Sequence, residues 1–108
     1  MSDLDFTISC IVTFFSKKRR TPPNLNNGKY CPRLVIKGSD QLLGVNFIDG
    51  EDVIFDKSIR ANALPVNEDI DYSALQAGTE FFIMEDGNIV GEGIVKEIFQ
   101  HKSYGSKK

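Results

Sequence analysis

The side chains that could do chemistry are few and scattered. One histidine, His101, and two cysteines, Cys10 and Cys31, are the only imidazole and thiols in the chain. A zinc site needs three or four closely spaced ligands of this kind, and a thiol nucleophile needs a base beside it. The spacing of these three residues predicts neither. Cys10 falls inside an apolar alternation, which fits a buried free thiol in a reducing compartment, and Cys31 stands beside Pro32. No glycine-rich loop joins a strand to a helix, so no phosphate loop or dinucleotide fingerprint is present. Asp49, Glu51 and Asp52 make an acidic turn without the spacing of a calcium loop. The expectation is a protein with no catalytic residues, no metal and no cofactor.

Charge offers more. Lys17, Lys18, Arg19 and Arg20 are four consecutive cations beside Thr21-Pro22-Pro23. Such a cluster can contact phosphates, each contact adding salt-sensitive affinity, or can simply be a solvated loop. Arg33 and, further on, Lys102, Lys107 and Lys108 could extend the patch, and the aromatic rings of Phe15 and Tyr30 lie near it in sequence. An exposed ring there could stack on a base, whereas a covered one would support the core. The formal net charge is only -2, so no global field commits the chain to nucleic acid or to a membrane.

These residues need elements to hold them. The chain has 108 residues, 41% hydrophobic and 26% charged, which suits one soluble domain with a modest core. We read residues 1–100 as that domain and 101–108 as a polar, basic tail. Phe6, Ile8, Cys10, Val12 and Phe14 alternate onto one face, as in a half-buried strand. The run from Ser16 to Lys29, with paired prolines and Asn27-Gly28, predicts a long loop, either mobile or functional. Further strands are predicted at 33–37, around 42–47 and over 58–66. A turn is expected at Asp49–Asp52, and a brief strand or buried bridge at Val53–Phe55. Residues 67–78 read as an irregular link or one short helical turn. The strongest pair, 80–84 and 88–99, flanks Glu85-Asp86-Gly87 as a hairpin. Six or so strands without a convincing helix predict an all-β fold, most simply a closed antiparallel barrel, because closure removes exposed edges. Gly91 and Gly93, two apart on one strand, would allow such a barrel to bend. The N-terminal residues include Asp3 and Asp5 where a signal segment would be basic then apolar, and no apolar run reaches membrane-spanning length. A cytoplasmic location with no membrane partner is expected.

The order of features resembles the third, C-terminal β-barrel of translation elongation factor Tu. That family carries Arg-His-Thr-Pro at the end of its first loop and Gly-Tyr-Arg-Pro before its next strand. Here Arg19-Arg20-Thr21-Pro22 and Gly28-Lys29-Tyr30-Cys31-Pro32 stand in those places, with one residue inserted. The family's closing hairpin is matched without a gap from Gly78 to Val95, with Gly78, Phe81, Ile83, Glu85, Gly87, Val90, Gly91, Gly93 and Val95 in register. The resemblance spans about residues 5–99 and implies a closed six-stranded antiparallel barrel. It also implies macromolecular partners, since in the family this barrel touches the T stem of aminoacyl-tRNA, packs on the GTPase domain and meets the exchange factor. Glu85 falls on the family's T-stem glutamate and Arg20 on the histidine of its first loop. Two arginines of the family's hairpin are replaced by Met84 and Asn88, and Val53-Ile54-Phe55-Asp56 stands roughly where the family has Met-Pro-Gly-Asp. With no GTPase domain in the sequence, no GTP binding is expected.

The functional expectation is a stand-alone, non-enzymatic binding module for a protein or a tRNA-like RNA, linked to translation. Its site would comprise Lys17, Lys18, Arg19, Arg20, Tyr30, Arg33 and Glu85. The alternative is an immunity or antitoxin-like protein whose acidic turns, Asp49–Asp52 and Asn67–Asp71, mask a basic toxin surface. A purely structural barrel within an oligomer is a third.

Overall fold

The alternation at the start of the chain folds as it reads: β1 (Phe6–Phe14) buries every second side chain, with Ile8, Val12 and Phe14 fully enclosed. The structure, a computed structural model, describes residues 6–101. Five further strands follow: β2 (Arg33–Ile36), β3 (Leu42–Gly50), β4 (Ser58–Pro65), β5 (Glu80–Glu85) and β6 (Asn88–Gln100). Every pairing is antiparallel, and the order β1-β4-β3-β2-β5-β6 closes on itself. The protein is thus an all-β, closed six-stranded antiparallel barrel, with no helix among the described residues. Side chains from all six strands fill its interior, among them Leu34, Val45, Phe47, Phe81, Ile83 and Val95.

Closure depends on the seam between β1 and β6, which runs from Phe6 opposite Gln100 to Phe14 opposite Gly91 and carries an irregularity at Ser9/Cys10. Gly91 and Gly93 matter here through close approach. A Cβ on Gly93 would lie 2.6 Å from the Ile11 carbonyl oxygen and 2.7 Å from Phe81 Cζ. One on Gly91 would lie 2.5 Å from the Thr13 carbonyl oxygen. Only a residue without a side chain lets β6 come this near β1 while the Phe81 ring lies over it.

The seam also defines two ends. At one, the β5–β6 hairpin turns through Asp86 (φ 49°) and Gly87 (φ 84°), the mirror-image geometry that suits a two-residue hairpin. At the other, β1 begins and β6 stops, and the β4–β5 linker passes by. We call these the hairpin end and the far end.

Two local expectations need correction. Asp49-Gly50 is not a turn but the end of β3. The strand passes through an irregularity between Phe47 and Asp49, and Gly50 pairs with Ala61. Val53–Phe55 forms no strand; Val53 and Phe55 are half-buried under a turn and Ile54 is exposed. The long loop is anchored rather than loose. Leu25 is buried in the core, and Asn26 exchanges two hydrogen bonds with the Gly50 backbone (2.9 and 3.2 Å), extending the sheet with a side chain. The 67–78 link contains turns and no helix. Of the basic tail, His101 is described, and Thr7 Oγ1 lies 2.6 Å from its Nε2. Lys102, Lys107 and Lys108 lie outside the described residues.

Candidate functional site

The hairpin end gathers residues from three segments far apart in sequence. Glu85 is the last residue of β5, fixed by the Asp86-Gly87 turn. Tyr30 precedes β2, and its backbone carbonyl accepts the Phe47 N–H at 2.9 Å, tying it to β3. Arg19 comes from the anchored loop. Arg19 Nε donates to Glu85 Oε1 at 3.1 Å and forms an ion pair with the same carboxylate, 2.9 Å from Oε2. The Tyr30 hydroxyl donates to Glu85 Oε2. Arg19 also donates from Nη1 to the Thr21 carbonyl at 2.5 Å, and its guanidinium sits 5.6 Å from the Tyr30 ring centroid. Beneath it the Tyr30 ring stacks on Phe47 and meets the edge of Phe14.

Both the acid and the base of this cluster are mostly shielded, with 23% of the Arg19 side chain and 26% of Glu85 exposed. Charge-assisted hydrogen bonds are stronger than neutral ones and hold shorter geometry. Burial, and then the hydrogen bond to Glu85, push the Tyr30 phenol far above its ordinary range, so it stays a neutral donor. The cluster is therefore a brace. It pins the cationic loop to the hairpin and consumes the charges of Arg19 and Glu85 internally.

Against the brace opens a cleft of about 320 Å³, lined by Cys31, Pro32, Arg33, Met84 and Asp86 together with the three brace residues. Of the residues singled out from sequence, the structure brings Arg19, Tyr30, Arg33 and Glu85 together here. Lys17, Lys18 and Arg20 project from the same loop, exposed. Among the described residues none of these three, nor Arg33, lies within ion-pair distance of an acid. Tyr30 is already packed by Phe14, Phe47 and Arg19, which makes it a support for the loop more than a platform for a base. Phe15 is half-buried, and its N–H donates to the Val90 carbonyl at 2.9 Å.

The remaining candidates are dispersed. Cys10 is buried, and burial pushes its thiol up to about 12. Cys31 is an exposed free thiol at the hairpin end, 2.9 Å from Asn46 Nδ2, whereas His101 is at the far end. Asp49 accepts from Asn62 Nδ2 and Glu51 from the Arg60 N–H, so these two acids serve strand edges. Among the described residues no group of three His, Cys, Asp or Glu converges as a metal would require, and no helix is long and apolar enough to cross a membrane.

Sequence reasoning missed a second concavity. A larger groove, about 870 Å³, lies at the far end between the β4–β5 linker and the end of β6. The signal for it was the apolar trio Ile70, Tyr72 and Leu75 inside an otherwise acidic linker.

Together these features describe a small closed barrel with a braced cationic end. Compared with known proteins, the chain matches no family model and no curated sequence.

Proposed function

We propose that the protein is a non-enzymatic binding module, similar to the third barrel of elongation factor Tu, whose hairpin end engages the backbone of a tRNA-like RNA. The observation that carries this reading is the set of exposed cations at the hairpin end, Lys17, Lys18 and Arg20 on a loop that Arg19, Glu85 and Tyr30 hold in place and Arg33 at the start of β2, none of them in an ion pair among the described residues. A preordered cation row loses little conformational freedom on meeting phosphates, so more of each contact appears as affinity. The Gly78–Val95 match to the elongation factor hairpin adds a translation context. In this reading Glu85 orders the loop, and the loop contacts RNA. The module works without GTP, in the cytoplasm, where Cys10 and Cys31 remain thiols.

The test is a tRNA titration at several salt concentrations. Each phosphate contact contributes roughly 0.7 to 0.9 to the slope of log affinity against log salt, so four contacts predict a slope of about −3. Replacing Lys17, Lys18, Arg20 and Arg33 by glutamine should flatten that slope towards zero. Absence of tRNA binding at low salt would sink the RNA reading, and a protein recovered by the same cations would replace it.

A second reading, an immunity-like protein that masks a basic toxin surface, draws on the acidic residues of the 67–71 linker at the far end. Co-purification of a cationic toxin with the chain would favour it.

A further inference from the structure

We propose that the far-end groove docks a lysine- and arginine-bearing peptide segment of a partner protein through one apolar anchor residue. The inference sharpens the masking reading by giving the ligand a chemistry, yet it needs no toxin and does not rest on RNA binding at the hairpin end.

The floor is apolar and firm. Phe6, Tyr72 and Leu75 are buried at its base, Ile70 and Ile98 are half-buried at its edges, and Phe6 meets Tyr72 edge to face at 6.2 Å. The Tyr72 hydroxyl donates to the Gly44 carbonyl at 2.6 Å and accepts the N–H groups of Val66 (3.3 Å) and Asn67 (3.1 Å). That one side chain therefore pins the linker wall to β3 and to the residues just after β4. A wall held this way is formed before any ligand arrives.

The rim is acidic on both sides. Glu68, Asp69 and Asp71 stand on the linker and Glu97 on β6, and no lysine, arginine or histidine lines the groove among the described residues. None of the four forms an ion pair among the described residues. Asp71 accepts the Ser73 N–H at 2.9 Å, which holds its carboxyl below the usual carboxylate range and keeps it charged at neutral pH. Four carboxylates around an apolar floor, without a cation among the described lining residues, repel a polyanion such as RNA. They favour a segment whose cationic heads reach the rim while an aliphatic or aromatic side chain fills the floor. The groove volume, about 870 Å³, falls within the roughly 300–1,000 Å³ of clefts that enclose ligands.

The experiment is fluorescence anisotropy on the full chain with three labelled probes: a Lys- and Arg-rich peptide bearing one leucine, the same peptide with serine for leucine, and spermine. The leucine peptide should bind best. Glu68→Lys combined with Glu97→Lys should weaken it by about tenfold or more, while thermal unfolding and tRNA binding at the hairpin end stay as in the parent. Ile70→Ala should erase much of the advantage of the leucine over the serine probe. Equal binding of all three probes, or unchanged binding by the charge-reversed protein, would overturn the proposal. So would self-association in sedimentation that disappears with the same two substitutions, because the occupant would then be a second copy of this chain.

Discussion

At the hairpin end an acid, Glu85, is enclosed by its own partners, Arg19 and Tyr30, whereas at the far end four acids surround an apolar floor with no cation lining it among the described residues. The same residue types thus do different work at the two poles of one barrel. Where charge is satisfied internally it orders a loop, and the cations left over face solvent. Where it is left unsatisfied around buried rings, the surface is ready for a ligand of opposite sign. The lesson is that a conspicuous charged residue is best judged by whether its partners are already present. By that measure Glu85 is engaged within the barrel, while Glu97 and Asp69 have no ion-pair partner among the described residues.

Several substitutions and one titration test this contrast. The largest effect should come from the seam that both ends share. Gly93→Val forces a side chain into the Ile11 carbonyl and the Phe81 ring and should cost about 3 kcal/mol in urea unfolding, with Gly91→Val similar. A valine variant as stable as the parent would mean that β6 can move away from β1 at no expense, and neither end would be as firmly built as described. Next, Glu85→Ala leaves Arg19 without its carboxylate and should lose about 2 kcal/mol, and it should also expose the loop to proteolysis. If the loop stays protected, the brace is not what holds it.

Alkaline pH separates the interior from the hairpin end. Cys10 and Tyr30 both have raised values in the fold, from ordinary values of 9.0 and 10.0. The unfolded chain therefore loses these protons first, and the native state binds more protons above pH 9. Stability is complete below that pH and falls as pH rises, by about 1.4 kcal/mol per pH unit for each proton retained. The Cys10 contribution runs from 9.0 towards about 12, and Tyr30 joins from 10.0. Cys10→Ala should remove the first component of the slope and Tyr30→Phe the second. Unfolding curves at several pH values would show parallel lines if either group were irrelevant. The smallest effect belongs to the far end. Glu97→Gln, with no ion pair among the described residues to lose, should change stability by less than about 0.5 kcal/mol while still weakening peptide binding.

Much of the barrel was legible in the sequence because its strands alternate cleanly and its turns are chemically explicit. The Phe6–Phe14 pattern and the Asp86-Gly87 hairpin are local signals. What failed was local in appearance but tertiary in cause. Asp49-Gly50 carries turn chemistry, yet β4 pairing and the side chain of Asn26 keep it in a strand. Val53–Phe55 is apolar enough for a strand but supplies half-buried contacts to the core from a turn. At the site, the residue types of Arg19, Tyr30 and Glu85 could be picked out one by one. That they bond to one another could not, since Arg19 and Glu85 are 66 positions apart and nothing in either neighbourhood specifies the other. The groove was hidden for the same reason: its floor is assembled from Phe6, the linker and Ile98.

The pairing of the first strand with the last has a consequence in time. Contacts across that seam, such as Thr7 with His101, join positions 94 residues apart. Non-local pairings of this kind pay loop-closure entropy before they return any stabilisation, so they form slowly. On a ribosome, β1 must wait for β6 to emerge, and until then its apolar Phe6-to-Phe14 face lacks one of its two neighbours. A nascent chain would be open to capture by chaperones through that strand until β6 has emerged as far as Gln100.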